Sequence, residues 1–253
     1  MIRSLLVKQL IVTADDVGLT SGMTEGAIRA HRQGIVTACS IVANGNAFDD
    51  AVARLRDVPS LEVGAHLALV EERALTTGEP MPKSYVQFVL SRRRIDVERE
   101  LRAQLEKILA TGLRITHLNG HQHLHMLPSV FAIVRRLAGE HGIPYVRVVN
   151  DRGGRGGIAR RGSIAVLSML GRRVDAKRKT IGVMEAGHLT AARVIELFDE
   201  VDGVTELVTH PGVAVSGYEW GYDWDAETEA LCDPALKTAL DARGIRLATP
   251  STI

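Results

Sequence analysis

The chain has few cysteines, few aromatic residues and almost no net charge. Its two cysteines, Cys39 and Cys232, lie far apart without C-x-x-C spacing, which argues against a disulfide framework and against a cysteine-ligated zinc site. Aromatic residues make up 4% of the sequence, too few for the broad stacking platforms of single-strand nucleic-acid binders. A formal net charge of +1 gives no reason to expect nucleic acid or an acidic membrane surface as a partner.

Long apolar runs are also lacking. No stretch approaches the roughly 18 apolar residues of a membrane-spanning helix. The N-terminal apolar run is interrupted at Lys8 and Gln9 and lacks the cleavage site of a signal peptide. Because two free thiols are typical of a reducing compartment, we expect a cytoplasmic protein without a transmembrane segment.

What the sequence does have is a regular alternation of short apolar runs and amphipathic segments. The apolar runs predict strands at 5–16, 35–45, 61–70, 115–123, 144–150, 204–212 and 245–249. The amphipathic segments predict helices at 21–34, 48–57, 96–111, 129–142, 190–201 and 233–243. Strands that are apolar on both faces indicate a parallel sheet covered by helices. The sequence therefore predicts an α/β fold, a single-domain distorted (β/α) barrel.

Two segments fall outside this alternation. Residues 71–95 contain Gly78, Pro80 and Pro82 and are expected to form an insertion over one end of the sheet. Residues 151–163, DRGGRGGIARRGS, are typical of a mobile loop; the alternative is a lid that closes on an anionic or hydroxylated ligand. Since no linker divides the chain, we treat residues 1–253 as one domain.

Polar side chains follow the apolar runs where the predicted strands end. These positions are Asp15, Asp16, Asn44, His66, His121, His123, Arg147 and His210. In a parallel barrel the carboxyl ends of the strands meet at one rim, where catalytic residues collect. The pattern therefore predicts a functional site at that rim.

The stretch HLNGHQHLHMLP, residues 117–128, holds four of the nine histidines. Alternate residues of a strand share a face, so His117, Asn119 and His121 are predicted to point the same way. Buried imidazoles need metal or hydrogen-bond partners. The cluster therefore indicates a metal or a hydrogen-bonded site.

A carboxylate from the Asp15-Asp16 pair would turn this cluster into a mixed nitrogen and oxygen site, suited to Zn²⁺, Co²⁺, Mn²⁺ or Mg²⁺. Neighbouring strand residues point to opposite faces unless the strand is ending, so one aspartate could bind metal while the other acts as a base. The alternative is a helix-capping acid pair. His210, before Pro211 and Gly212, could protonate a leaving group or serve as a hydrogen-bonded turn histidine.

Taken together, these motifs resemble the YdjC-like carbohydrate deacetylases, the family that includes chitooligosaccharide deacetylase. The resemblance runs nearly end to end and rests on VTADDVGL (12–19), GIVTACS (34–40), VGAHL (63–67), THLNGHQHLH (116–125), THPG (209–212) and LDARGIRL (240–247).

The resemblance implies a barrel-like fold of the TIM or NodB-like type and one divalent metal ion, Mg²⁺ or Zn²⁺ with Co²⁺ or Mn²⁺ as further candidates. It implies Asp16, His66 and His121 as metal ligands, with Asp15 as general base and His210 as general acid. We expect a further group to contact the substrate or to support these residues: Arg147, Asn119, His123, His125 and Asn44.

The chain departs from the family pattern at Thr13, where many members have Asn, and at Asn119-Gly120, where many have Asp-Ser. In these positions it is similar to a branch associated with hopanoid biosynthesis, which acts on glycosylated lipids. The absence of a carboxylate at position 119 argues against an acid role there.

The implied activity is metal-dependent removal of the acetyl group from an N-acetylated sugar, an N-acetylglucosamine-type oligosaccharide or a glycolipid, with release of acetate. The resemblance also suggests a homodimer. One alternative is a metal-dependent hydrolase of another bond, such as a phosphoester, although no GxxxxGK[ST] motif occurs. The other is a non-catalytic sugar-binding relative, which the presence of every expected ligand, base and acid disfavours.

Overall fold

The fold is an α/β arrangement built on one parallel sheet. The computed structural model describes residues 7–91, 94–151, 158–175 and 178–253. The strands are β1 (Lys8–Val17), β2 (Ala38–Ile41), β3 (Glu62–Leu67), β4 (Ile115–Gly120), β5 (Tyr145–Val146), β6 (Lys179–Ile181), β7 (Val204–Thr209) and β8 (Ile245–Leu247). The helices are α1 (Ser21–Gln33), α2 (Phe48–Arg56), α3 (Tyr85–Ser91), α4 (Val97–Leu109), α5 (Pro128–Glu140), α6 (Ile158–Val174), α7 (Ala191–Phe198), α8 (Trp224–Cys232) and α9 (Pro234–Ala242), with 3-10 turns at His121–Met126 and Pro250–Thr252.

The sheet curls into an incomplete barrel, which confirms the predicted fold class. Its order is β5-β4-β3-β2-β1-β7-β6, and β8 pairs with the first residues of β1. In the described part of the chain no backbone ladder joins β5 to β6. Asn150 links the two edges instead: its backbone N–H donates to Thr180 Oγ1 (2.8 Å) and its side-chain amide donates to the Arg178 carbonyl (3.0 Å).

Burial follows the pattern expected for strands covered on both sides. The last eight residues of β1, from Leu10 to Val17, are all buried. The covering helices each turn one apolar stripe inward; α4, for example, buries Leu101, Leu105 and Ile108 at helical spacing. No helix in the described ranges is long and apolar enough to cross a membrane.

A buried carboxylate holds the segment after β3 against α4. Glu100 is fully buried and accepts hydrogen bonds from the backbone of Leu75 (2.9 Å) and from the backbone and hydroxyl of Thr76 (3.0 and 2.7 Å). Gln104 exchanges two further bonds with the backbone of Ala68. Because these partners satisfy the buried polar groups, the segment has a defined position beside the strand ends. Within the predicted insertion 71–95, residues 92–93 lie outside the described ranges.

Two sequence predictions need correction, and some elements of the fold were not predicted. β4 ends at Gly120, not at residue 123, because Gln122 and His123 adopt left-handed backbone angles (φ 49° and 56°) that end the strand. Residues 158–163 belong to α6, so the loop predicted for 151–163 is wrong there; residues 152–157 lie outside the described ranges. β6 and α8 were not predicted, since β6 has only three residues and α8 has weak amphipathic character.

The contact between α1 and the turn after β7 provides a packing test. A Cβ on Gly26 would lie 2.4 Å from the Gly212 backbone, whereas a Cβ on Gly139 in α5 would meet nothing within 4 Å. We expect Gly26→Ala to lower the free energy of unfolding by about 1–3 kcal/mol because a packed backbone must move. Gly139→Ala is the matched control and should be neutral or stabilise by up to about 1 kcal/mol. Chemical denaturation measures both, and equal effects of the two substitutions would contradict the packing account.

Candidate active site

β1 ends in two consecutive aspartates that face the same cavity. An uninterrupted strand would turn Asp15 and Asp16 to opposite faces. The register between β1 and β2 shifts between Ala14 and Val17, and Asp16 has φ 65°. This bulge directs both carboxylates into the cavity. Left-handed angles at non-glycine residues cost about 1–3 kcal/mol and cluster at functional sites.

Asp16 meets two imidazoles that come from neighbouring strands. Its Oδ1 lies 3.1 Å from His66 Nε2 and 2.8 Å from His121 Nδ1. His66 belongs to β3, and His121 is the first residue after β4. All three side chains are buried, and one ligand atom from each lies within 4.8 Å of the others. One carboxylate and two imidazoles form a donor set that fits a divalent metal with positions left for water.

The outer nitrogens of both imidazoles are already held by hydrogen bonds. His66 Nδ1 donates to Asn119 Oδ1 (2.7 Å), and His121 Nε2 donates to Glu71 Oε2 (2.8 Å). These bonds leave His66 Nε2 and His121 Nδ1 facing Asp16. Metal-ligating histidines have this arrangement, in which the distal N–H is fixed by a carbonyl or carboxylate. The residues therefore fit a metal ion, and Glu71, which the sequence did not single out, supports the ligand set.

Asp15 lies beside this cluster in a ring of donors. Arg147 binds both of its oxygens, at 2.5 Å (Nη1 to Oδ2) and 2.9 Å (Nη2 to Oδ1). Ser40 Oγ (2.7 Å) and Asn119 Nδ2 (3.0 Å) donate to Oδ1 as well. Burial alone would raise the pKa of Asp15, but the charges of Arg147 and His66 outweigh it and hold that pKa well below its usual range. Asp15 is therefore an ionised, fixed carboxylate.

Arg147 is itself completely buried between two acids. Its Nε and Nη2 donate to Glu206 Oε1 at 3.0 and 2.7 Å. Glu206, in the middle of β7, also accepts from Thr13 Oγ1 and from the Tyr145 hydroxyl, both at 2.8 Å. Glu206 was not predicted as a site residue because β7 was interpreted as an apolar strand. A single acid in that strand was the only indication of a polar role.

His210 borders the cluster on another side. Its backbone N–H donates to Glu227 (2.5 Å), and its ring packs edge-on against Tyr222 with centroids 5.4 Å apart. Its Nε2 lies 3.9 Å from Asp16 Oδ2. Burial lowers the pKa of His210, and the charges of Asp16 and Asp15 only partly offset this. Its support as a proton-exchanging group is its position, since the ring lines the cavity beside Asp16.

Of the remaining residues that the sequence singled out, one lines the cavity and the others lie outside its lining. His123 lines the cavity, whereas His125 lies behind it, with Nε2 3.2 Å from the Arg147 carbonyl. His117 packs beside Gly64 and Tyr145, and burial lowers its pKa to about 4. Asn44 is not part of the described cavity lining; its amide donates to the Arg73 carbonyl (3.0 Å).

The cavity above these residues has a volume of about 770 Å³. Beyond the acids and histidines its described lining is mostly aromatic and aliphatic, namely Tyr85, Val86, Val166, Leu167, Val183, Ala186, Trp220 and Tyr222. Small-molecule sites of about 300–1,000 Å³ combine such walls with a few convergent polar groups. The aromatic side chains were missed because they were judged only by their low overall frequency.

Comparison with known proteins identifies the family. A family model described as "YdjC-like protein" matches residues 9–242. The chain belongs to the YdjC-like family. A relative named carbohydrate deacetylase, from Geobacillus stearothermophilus, is 31% identical over 94% of this chain and 95% of its own length. Another protein of that name, from Brevibacillus brevis, is 38% identical over 54% of this chain and 58% of its own length.

Solved structures show the same fold for this YdjC-like protein. One is an Enterococcus faecalis protein described as a cellobiose-phosphate cleavage protein. It superposes with a TM-score of 0.74 at 23% sequence identity, and the match covers 97% of this chain and 98% of that protein. A family 4 carbohydrate esterase from Streptomyces lividans, solved with acetate, has a TM-score of 0.52 at 13% identity and covers 97% and 95%. At sequence identities of 23% and 13%, these two comparisons establish a similar fold.

The ligand cluster predicts a pH-dependent metal affinity. Burial would lower the pKa of His121, but Asp16 and Glu71 on its two nitrogens raise it to about 10. Below that pH the ring is protonated, and a metal must displace the proton from Nδ1. The zinc dissociation constant should therefore fall about tenfold per pH unit as pH rises, until the pKa of His121 is reached.

Glu71→Gln removes one of the two charges that hold this proton. The zinc affinity of this variant should therefore stop rising at a lower pH than the zinc affinity of the wild type. Glu79→Gln makes the same charge change at an exposed position of the same segment and should leave the profile unaltered. Zinc titrations across pH with a competing chelator give these curves. A wild-type affinity that does not vary with pH would contradict the assignment of His121 as a protonated ligand.

Proposed function

We propose that this YdjC-like protein is a metal-dependent carbohydrate deacetylase, which hydrolyses the acetamide of an N-acetylated sugar to acetate and a free amine. The observation that carries the proposal is the arrangement of Asp15 and His210. Each lies 3.9 Å from a member of the Asp16–His66–His121 cluster, and all five side chains line one cavity. The relatives named carbohydrate deacetylase support the same activity.

Asp16, His66 and His121 would hold the metal, with Zn²⁺ or Mg²⁺ as the first candidates and Co²⁺ or Mn²⁺ as further ones. When bound there, a divalent metal supplies Lewis-acid polarisation of a carbonyl and lowers the pKa of water. Asn119 and Glu71 fix the two imidazoles from behind, so the ligands are oriented before the ion arrives.

The residues around the cluster supply the proton transfers. Asp15, kept ionised by Arg147, accepts the proton of the water whose oxygen bonds to the acetyl carbon. Arg147, Ser40 and Asn119 prevent the carboxylate from rotating away. His210 donates a proton to the sugar nitrogen as the C–N bond breaks, so that the amine leaves neutral.

The charge of the cavity disfavours the phosphoester alternative. Its described lining contains Asp15 and Asp16 and no Lys or Arg. Arg147 cannot serve a phosphate, since both of its faces are bound by Asp15 and Glu206. Sites for phosphate groups rely on cationic side chains, which makes a neutral acetamide the better substrate for this cavity.

Apolar side chains at the cavity mouth favour a glycolipid as a second candidate substrate. Val86 in α3 and Val166 in α6 line the cavity, yet they are 64% and 52% exposed. Leu90 and Met169, on the same helices, are 81% and 44% exposed. An apolar group attached to the sugar would cover these side chains, whereas a free oligosaccharide would leave them in water.

Acetate release is the direct test. N-acetylglucosamine, its oligosaccharides and a lipid-linked N-acetylated sugar are incubated with the protein after metal removal and after metal addition. We expect acetate only when metal is present, and the preferred compound identifies the substrate class. A protein that binds metal but releases acetate from none of these compounds would contradict the proposed activity.

Two substitutions separate the base from the ligands. Asp15→Asn keeps the shape of the side chain and removes the base, so we expect normal metal content and a loss of turnover of about 100-fold or more. His66→Ala removes a ligand and should lower metal content together with activity. Metal analysis of the purified variants alongside acetate release distinguishes the two outcomes. Turnover by Asp15→Asn at the wild-type rate would exclude Asp15 as the base.

Asn119 places a neutral amide, and not a second carboxylate, next to the proposed base Asp15. Its amide donates to Asp15 at 3.0 Å, and Asn119→Asp would replace this donor with a second carboxyl group. Like charges raise the pKa of a carboxyl pair, so the base would be lost as pH falls through a higher value than in the wild type. We expect the acid limb of kcat/KM to move upward by about one pH unit or more. Ser40→Ala, which removes a donor without adding charge, should move it less; superimposable profiles for Asn119→Asp and the wild type would contradict this account.

A further inference from the structure

Four aromatic side chains form a row where the chain leads from β7 into the first residue of α8. We call residues 218–224 the aromatic strap. Tyr218, Trp220, Tyr222 and Trp224 alternate with exposed residues, so that their rings lie on one side. Successive rings are in contact, with centroids 4.7, 5.6 and 5.6 Å apart. Four of the ten aromatic residues of the chain, including both tryptophans, are thus concentrated in seven positions.

The strap lies directly against the proposed chemistry. The Trp220 ring is 5.3 Å from the His121 ring, and the Tyr222 ring is 5.4 Å from that of His210. Trp220 and Tyr222 line the cavity, and both are only half-buried. Part of the Trp220 ring is therefore exposed to the cavity beside the ligand cluster.

Contacts at both ends hold the strap in place. The Tyr218 hydroxyl donates to Glu72 (2.7 Å), on the segment tied to α4. The backbone N–H of Asp223 donates to the Gly187 carbonyl (2.9 Å). A Cβ on Gly187 would lie 2.1 Å from the Tyr222 ring, so this close approach requires glycine. The aromatic face is thus preorganised, which lowers the entropic cost of binding a ligand.

We propose that Trp220 is the platform on which the pyranose ring of the substrate stacks, beside Asp16, His66 and His121. The ligand class rests on the proposed function. One face of a pyranose is formed by C–H groups and packs on a flat indole, while the hydroxyls point to the rim. Trp220 is thereby a residue that determines specificity for sugars over small acetamides.

The test uses the full-length protein supplied with zinc and glucosamine oligosaccharides, which offer the same ring face but have no acetyl group to lose. Trp224→Phe leaves Trp220 as the only tryptophan of the chain. This change costs no hydrogen bond within the described structure, where the Trp224 indole nitrogen has no partner. We expect a saturable change of tryptophan fluorescence as the oligosaccharide binds.

Calorimetry on two further variants separates stacking from simple apolar contact. Trp220→Leu keeps an apolar side chain without a ring and should bind the oligosaccharide about tenfold more weakly. Trp220→Phe keeps an aromatic face and should stay within about threefold of the wild type. Melting temperatures close to that of the wild type establish that both variants fold. With N-acetylated oligosaccharides, Trp220→Leu should raise KM while kcat changes little, as expected when uniform binding is lost.

The outcomes separate this proposal from the proposed function. Unchanged affinity of Trp220→Leu, or no fluorescence response in Trp224→Phe, would overturn the platform even if acetate is released. Oligosaccharide binding that is lost in Trp220→Leu supports the platform even if no acetate is released, in which case the deacetylase activity fails and the sugar site stands.

Discussion

The structure depends on one buried guanidinium. Arg147 follows β5 at one edge of the sheet and binds Asp15 of β1 and Glu206 of β7. β5 and β7 are not neighbours in the sheet, so these bonds cross the interior of the curled barrel. A buried ion pair is costly to break from one side, by about 3–5 kcal/mol, because the partner charge is left uncompensated. Arg147 therefore joins β5 to β1 and β7, with which β5 forms no backbone ladder, and it fixes the proposed base at the same time.

From Asp15 onward a continuous chain of hydrogen bonds and close polar contacts reaches the outer wall of the cavity. Asn119 joins Asp15 to His66, Asp16 joins His66 to His121, and His121 ends on Glu71. Each imidazole is thus oriented on both of its nitrogens. In such a network the effects of substitutions are not additive, since each residue sets the position of the next. An aspartate at position 119 would change the charge in the middle of this chain, so the amide of Asn119 matters for its charge as well as its shape.

The sequence was sufficient to group residues of the candidate site but not to predict their arrangement. Strand ends in a parallel sheet meet at one rim, so Asp15, Asp16, His66 and His210 could be grouped without coordinates. The bulge at Asp16 could not be foreseen, because its left-handed angle is imposed by tertiary contacts that override the preference of the residue. Glu206 carried no signal beyond a lone acid in an apolar strand, and Glu71 none beyond the Glu71-Glu72 pair in the predicted insertion. The aromatic strap did carry one, the alternation in YEWGYDW, which an average over the whole composition conceals.

Charge balance explains why these features occur together. The carboxylates of Asp15, Asp16 and Glu206 are buried, and the pKa of each is held low although burial alone would raise it. Arg147 offsets one of these charges, so two negative charges remain uncompensated, and buried charges without partners are unfavourable. A divalent cation at the cluster would neutralise them, and a protonated His121 compensates in part when no cation is bound. Glu71, bonded to His121, adds a further carboxylate beside the cluster. The site therefore offers no excess positive charge to an anionic substrate, which agrees with the neutral sugar of the proposed function.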